Sequence, residues 1–149
     1  MRKHTAQEQE KLIDLALEAR NASYSPYSNF RVGAALLAED GTFFKGCNVE
    51  NASYGGAICA ERTAYVKAIS EGYKSFIGLA VATDLTDDFC SPCGICRQFI
   101  SEFGPKDLPV YLCKPDRTFF ATSINWKRTL DRTKQKLLHK SEHYGMSKR

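Results

Sequence analysis

Residues 31–49 read RVGAALLAEDGTFFKGCNV. Arg31 to Ala38 and Thr42 to Val49 are runs rich in strand-forming residues, and Glu39-Asp40-Gly41 separates them. An Asp-Gly pair between two such runs is a turn signal, because glycine takes up a positive φ without steric cost, so the stretch predicts a hairpin that opens a sheet. Before it, Gln7 to Ala22 carries Leu12, Ile13, Leu15, Ala16 and Ala19 at helical spacing, and the Ser-Tyr-Ser-Pro-Tyr-Ser run of residues 23–28 should end that helix. After it, Ile58 to Glu71 is helix-compatible up to Gly72, Phe76 to Thr83 reads as a buried strand, and Cys93 to Phe103 stops at Gly104-Pro105. Val110 to Cys113 and Thr118 to Ala121 add two short strands around the turn at Lys114-Pro115-Asp116-Arg117. This order of elements predicts an α/β fold, with a five-stranded mixed sheet flanked by helices.

Composition sets wide bounds. A chain of 149 residues, 43% hydrophobic and 26% charged, can bury one core and needs no second domain. The N-terminus has no charged segment leading into an apolar run, and nothing approaches the roughly 18 apolar residues of a membrane span, so a cytoplasmic location is expected. The formal charge of +4 is uneven: residues 123–149 hold eight Lys or Arg against two Asp or Glu, which leaves residues 1–122 at −2. Two segments follow, a folded domain over 1–122 and a basic tail over 123–149. The tail reads as a solvated terminus, since no aromatic platform is interleaved with its charges; weak nucleic-acid contact is the sharper alternative.

The chemistry is carried by Cys59-Ala60-Glu61 and, about thirty residues on, Pro92-Cys93-Gly94-Ile95-Cys96. These supply three candidate zinc ligands, Cys59, Cys93 and Cys96, and a carboxylate, Glu61, that spacing keeps near the metal. Structural zinc sites are closed by four protein ligands, whereas a catalytic site leaves a position for water. A carboxylate beside such a water suits hydrolysis at a carbon bearing an amine. Cys59 falls at the start of one expected helix and Cys93 and Cys96 at the start of another, where free backbone N–H groups favour a thiolate. The other cysteines, Cys47, Cys90 and Cys113, read as small buried hydrophobes in a reducing compartment.

Several segments together resemble the small, cysteine-ligated cytidine deaminases of pyrimidine salvage: residues 24–30, YSPYSNF; 32–35, VGAA; 48–52, NVENA; 59–64, CAERTA; and 91–98, SPCGICRQ. The resemblance runs from about Leu12 to Phe120. It implies a three-layer α/β/α sandwich, one Zn²⁺ per subunit, and hydrolysis of free cytidine and 2′-deoxycytidine to uridine and 2′-deoxyuridine with release of ammonia. In that chemistry water activated by zinc attacks C4, and Glu61 moves the protons. Three thiolates leave a zinc site at net −1, and the resemblance gives Arg62 the task of hydrogen-bonding the sulfurs. It also implies a homotetramer with shared active sites.

Substrate contacts follow from the same likeness. Alternation along Asn48-Val49-Glu50 puts Asn48 and Glu50 on one face, with Val49 opposite. The resemblance assigns Asn48 and Glu50 to the ribose 3′-hydroxyl, Phe30 to the face of the pyrimidine, and Ala52 and Tyr54 to the 5′-hydroxyl. The Ala60 backbone is assigned to the base edge and the Ser91 carbonyl to the departing amine. A carboxylate accepts from a free hydroxyl and repels a phosphate at the same oxygen, which favours a nucleoside over a polynucleotide. The departure is C-terminal: no Leu-Leu-Pro segment with a following Phe is present, and Ile124, Trp126 and Leu130 are the apolar residues there, none of them assigned to the site. Two readings compete. A polynucleotide cytosine deaminase would draw on the basic tail. A structural zinc module would need a fourth ligand from His4, His139, His143 or a spare cysteine.

Overall fold

A computed structural model describes residues 1–123. Ser123, the first residue of the expected tail, ends the last strand of the sheet, and the rest of the tail, with Ile124, Trp126, Leu130, His139 and His143, lies outside the described residues. The elements are α1 (Ala6–Arg20), β1 (Val32–Ala38), β2 (Phe43–Cys47), α2 (Ala60–Ser70), β3 (Phe76–Thr83), α3 (Gly94–Phe103), β4 (Pro109–Cys113) and β5 (Phe119–Ser123), with one turn of 3-10 helix at Tyr54–Gly56. The strands lie in the order β2-β1-β3-β4-β5. β1 is antiparallel to both β2 and β3, β3 and β4 are parallel, and β4 and β5 are antiparallel, which gives the expected five-stranded mixed sheet.

Side-chain alternation splits the core between the sheet's two faces. Ala35 and Leu37 of β1, with Ala80 and Ala82 of β3, pack on Leu12, Ile13 and Ala16 of α1. Ala34 and Leu36, with Leu79 and Val81, pack on Ala60, Ala64 and Ala68 of α2 and Ile100 of α3. The result is a three-layer α/β/α sandwich. Leu37 pairs with Gly78 and Ala38 with Phe76, so Ile77 is an extra residue in β3, and this bulge reverses the alternation: Ile77 and Leu79, two apart, take opposite faces. Each fully buried Leu, Ile or Phe contributes about 1.5–3 kcal/mol by leaving water.

Gly46 determines how close α2 comes to the sheet. A β-carbon there would stand 2.4 Å from the backbone nitrogen of Ala64 and 2.5 Å from the carbonyl oxygen of Ala60. Only glycine lets the helix that carries Glu61 seat against β2 at this depth. Gly33 does the same for α1, whose Ala16 carbonyl would lie 2.1 Å from an added β-carbon.

Most boundaries fall within a residue or two of those expected, and the differences have local causes. α1 starts at Ala6 because Thr5 and Glu8 form a capping box, each side chain accepting from the other's backbone N–H. β2 ends at Cys47, not Val49. Beyond it the chain trades its β1 partner for single bridges, with Val49 pairing to Tyr24 and to Ile58. The two expected helices over the cysteines begin one or two residues late, which turns Cys59 and Cys93 into N-caps.

Candidate active site

Cys59 and Cys93 hold equivalent places, each the N-cap of its helix and each without a side-chain capping bond. Their sulfurs are therefore not spent on the helix, while the first-turn N–H groups lend positive potential. Cys96, one turn into α3, is buried below them. The three sulfurs all lie within 4.8 Å of one another, and Cys59 Sγ stands 3.8 Å from Cys93 Sγ. Zinc–sulfur bonds of about 2.3 Å at tetrahedral angles require sulfurs roughly 3.8 Å apart, so Cys59 and Cys93 already have the spacing that zinc needs, with Cys96 close by. The three form the metal-ligating cluster among the described residues.

Charge is arranged to suit an anionic sulfur cluster. Hydrogen bonding from the Cys96 thiol, with further help from Arg62 and Cys93, pulls the Cys59 thiol down to about 5 against the opposing effect of burial. Cys96 moves up, because it donates to Cys59 and is itself buried. Arg62 reaches Cys59 Sγ at 3.6 Å and the Ala57 carbonyl at 3.4 Å. Burial acts against its charge, yet Cys59 and Cys96 hold its pKa above the ordinary arginine value. Arg62 Nε is buried with no partner among the described residues. A guanidinium with a donor to spare, set against thiols, fits a cluster that becomes fully thiolate on binding zinc.

Glu61 occupies the first turn of α2 with only 4% of its surface exposed. Burial is the main reason that its carboxyl rises to about 7, with the Cys59 charge adding to it. It lines a cavity of about 640 Å³ shared with Phe30, Val32, Asn48, Glu50, Tyr54, Cys59, Ala60, Ser91 and Cys93. That volume suits a small organic ligand.

The structure thus brings ten of the twelve expected site residues to one cavity wall: Phe30, Asn48, Glu50, Tyr54, Cys59, Ala60, Glu61, Arg62, Ser91 and Cys93. Cys96 joins them through the sulfur cluster. Ala52 does not line this cavity; it is exposed in the irregular segment after Asn51. Nor does Val49 turn away as strand alternation requires. With β2 ended at Cys47, Val49 lines the cavity beside Asn48 and Glu50.

Asn48 and Glu50 also hold the neighbouring loop. The Asn48 amide donates to the Phe30 carbonyl at 2.8 Å, and its oxygen accepts from Val32 N at 2.9 Å and from Ser23 Oγ. Glu50 Oε2 accepts from Tyr27 N at 2.9 Å and Ser28 N at 3.2 Å, and Oε1 accepts from Ser28 Oγ. Its carboxyl is lowered, first by Ser28 and then by these backbone donors, against some desolvation.

Ser28, Cys90 and Ile95 are among the cavity residues that sequence reasoning does not single out. Cys47 and Cys90 are only partly buried, so of the three spare cysteines the expectation of a small buried hydrophobe fits Cys113, whose thiol burial pushes up to about 12. Ile95, between two cysteines of the cluster, is 65% exposed, and an apolar side chain so placed was the available signal. None of the six cysteines, all among the described residues, is in a disulfide.

Comparison with known proteins returns a consistent set. The family model described as cytidine and deoxycytidylate deaminase zinc-binding region matches residues 6–112. A Dictyostelium discoideum protein named "Probable cytidine deaminase" is 58% identical over 119 residues, 80% of each chain. The cytidine deaminase of Sporosarcina psychrophila is 57% identical over 103 residues, 69% of this chain and 75% of that protein. Among solved structures, the cytidine deaminase of Burkholderia pseudomallei superposes with a TM-score of 0.74 at 46% identity, covering 81% of this chain and 94% of that one.

Proposed function

This chain belongs to the cytidine and deoxycytidylate deaminase zinc-binding family, and from that premise we propose that it hydrolyses free cytidine and 2′-deoxycytidine to the uracil nucleosides and ammonia. One observation carries the reading: a buried glutamate and the thiols of a zinc-spaced cluster line the same nucleoside-sized cavity. Cys59, Cys93 and Cys96 hold one Zn²⁺, which when bound supplies Lewis-acid activation of a water molecule.

Glu61 does the proton work. Its carboxylate takes a proton from the attacking water and passes it to N3 of the pyrimidine, which makes C4 electrophilic. After C4 becomes tetrahedral, Glu61 takes the proton of the new C4 hydroxyl and delivers it to the exocyclic nitrogen; the C–N bond breaks, C4 becomes a carbonyl and ammonia leaves. Burial keeps bulk water from competing for those protons. Arg62 offsets the charge of the sulfurs. Phe30 packs on the ring, the Ala60 backbone meets the base edge, and the Ser91 carbonyl accepts from the departing amine. Asn48 and Glu50 take the 3′-hydroxyl, and Tyr54, with Ala52 from the irregular segment, serves the 5′ end. The 78% exposure of Tyr54 and the open position of Ala52 support a site that a second copy completes, in keeping with a homotetramer.

No described helix is long and apolar enough to cross a membrane, and six cysteines without a disulfide support a reducing, cytoplasmic setting. A free nucleoside is favoured over a polynucleotide because Glu50 is ionised at the sugar end of the cavity. Residues 1–122 form the catalytic domain, and residues 123–149 the basic tail that follows it.

The test is the ultraviolet absorbance change of free cytidine with zinc-loaded protein, run beside Glu61→Gln and a single-stranded oligonucleotide. Conversion to uridine that disappears in a zinc-retaining Glu61→Gln is the expected result. Turnover of the oligonucleotide alone would overturn the nucleoside assignment.

A further inference from the structure

We propose that Ser28 is a positioning residue for substrate binding, which aims Glu50 so that one carboxylate lone pair remains for a sugar hydroxyl. The inference rests on the assignment of Glu50 to the 3′-hydroxyl.

The geometry starts in the backbone. Asn29 has a φ of 54°, in the left-handed region that asparagine tolerates better than most residues, and its N–H is pinned to the Ser25 carbonyl at 2.9 Å. This turn points the N–H groups of Tyr27 and Ser28 at one carboxylate oxygen, Glu50 Oε2. The Phe30 N–H points at Ser28 Oγ instead, at 3.0 Å. With that lone pair of the hydroxyl occupied, the Ser28 hydrogen is free to go to Glu50 Oε1, and the chain of two bonds strengthens both.

Counting acceptors gives the consequence. A carboxylate offers about four lone-pair sites. Two N–H groups use those of Oε2 and the Ser28 hydroxyl uses one on Oε1, so a single site on Oε1 is left. Glu50 needs such restraint. It lies in the wall common to the main cavity and a smaller one of about 290 Å³, lined also by Tyr27, Asn51, Tyr54 and Ala57. A carboxylate without the Ser28 hydroxyl has room to turn into that second space and take water. The same residue ties the sugar contact to the base contact, since Ser28 Oγ holds both Glu50 and the Phe30 backbone.

The experiment compares 2′-deoxycytidine with 2′,3′-dideoxycytidine, which differ only in the 3′-hydroxyl, on zinc-loaded parent, Ser28→Ala and Ser28→Thr. The parent should prefer 2′-deoxycytidine. Ser28→Ala should narrow that preference about tenfold, the loss of one hydrogen bond to a charged group, and should do so through KM for 2′-deoxycytidine rather than kcat. Ser28→Thr keeps the hydroxyl and should restore the preference. Equal losses on both substrates in Ser28→Ala, or an unchanged preference, would overturn the role of Ser28 while leaving that of Glu50 standing. A parent that does not distinguish the two substrates would overturn the Glu50 assignment and the proposal with it.

Discussion

Glu50 and Glu61 line one cavity, and their environments push their carboxyls in opposite directions. Glu61 is buried and rises to about 7; Glu50 is near the surface and is lowered by the Ser28 hydroxyl and two backbone N–H groups. Burial penalises the charged form, whereas aimed donors stabilise it. Two carboxylates separated in this way suit two tasks: one can exchange protons with a substrate, and the other keeps a fixed charge to orient it. α2 secures the first by seating against Gly46, and the left-handed turn at Asn29 secures the second.

The sharpest way to break the comparison is Glu61→Gln. It should lower kcat by at least about a thousandfold with zinc content unchanged, because the amide cannot carry protons. Cys93→Ala, by contrast, should lose the metal as well, which metal analysis of the purified protein would show. If Glu61→Gln kept near-normal turnover, the buried carboxylate would be a structural group and the contrast would have no meaning for the reaction.

A smaller effect should follow at the other carboxylate. Glu50→Gln keeps an oxygen acceptor but removes the charge that Tyr27, Ser28 and the turn are built around. KM for cytidine should rise about tenfold to a hundredfold while kcat falls less. A fall in kcat with unchanged KM would mean that Glu50 acts in the chemical step, and the division of labour would be wrong.

Burial without a partner can also be tested away from the cavity. Tyr65 follows Glu61 by one turn of α2, is fully buried among Phe76, Phe99 and Phe103, and its hydroxyl has no hydrogen-bond partner among the described residues. Burial pushes its pKa upward with nothing to offset it. Tyr65→Phe removes the stranded hydroxyl and keeps the ring contacts. Thermal unfolding of the zinc-loaded protein should show equal or greater stability, by up to about 1 kcal/mol. A clear loss would reveal a partner for the hydroxyl.

The sequence exposes the Glu61 half of the comparison more readily than the Glu50 half. Cys59, Glu61, Cys93 and Cys96 sit within two short motifs, where sequence proximity keeps Glu61 near Cys59 and i,i+3 spacing puts Cys93 and Cys96 on one face. The run Phe76 to Thr83 is apolar up to its final threonine and is β3 residue for residue. The sugar end depends on contacts between remote segments. Ser28 and Glu50 are 22 residues apart, and nothing in local periodicity says that a serine in a Pro-containing loop will face that glutamate. The expected strand runs on to Val49 because valine favours a strand, while in the fold the Asn48 amide is taken by the Phe30 and Val32 backbone. Ala52 shows the same limit, since its segment has neither helical nor strand period to place it. The start of α1 was legible, as Thr5 and Glu8 have capping-box spacing, but the apolar pattern begins later and draws the eye past it.

Glu8 extends the Glu50 pattern to a site with no catalytic duty. Its carboxyl is lowered to about 2, first by the Arg2 guanidinium and then by the Thr5 N–H. A carboxyl with a depressed folded-state pKa contributes stability above its ordinary value, near 4.5, and loses it as pH falls through the interval toward 2. Acid should therefore loosen the start of α1 in that window. The expected effect is the smallest considered, because the pair lies at the surface, where water and salt screen it. Thermal unfolding of parent and Glu8→Gln should give curves that are separated at pH 6 and converge as pH falls below about 4. Curves equally separated throughout would mean that Glu8 stabilises α1 by packing instead of by charge, and that aimed donors at this carboxylate do not set its titration as they do at Glu50.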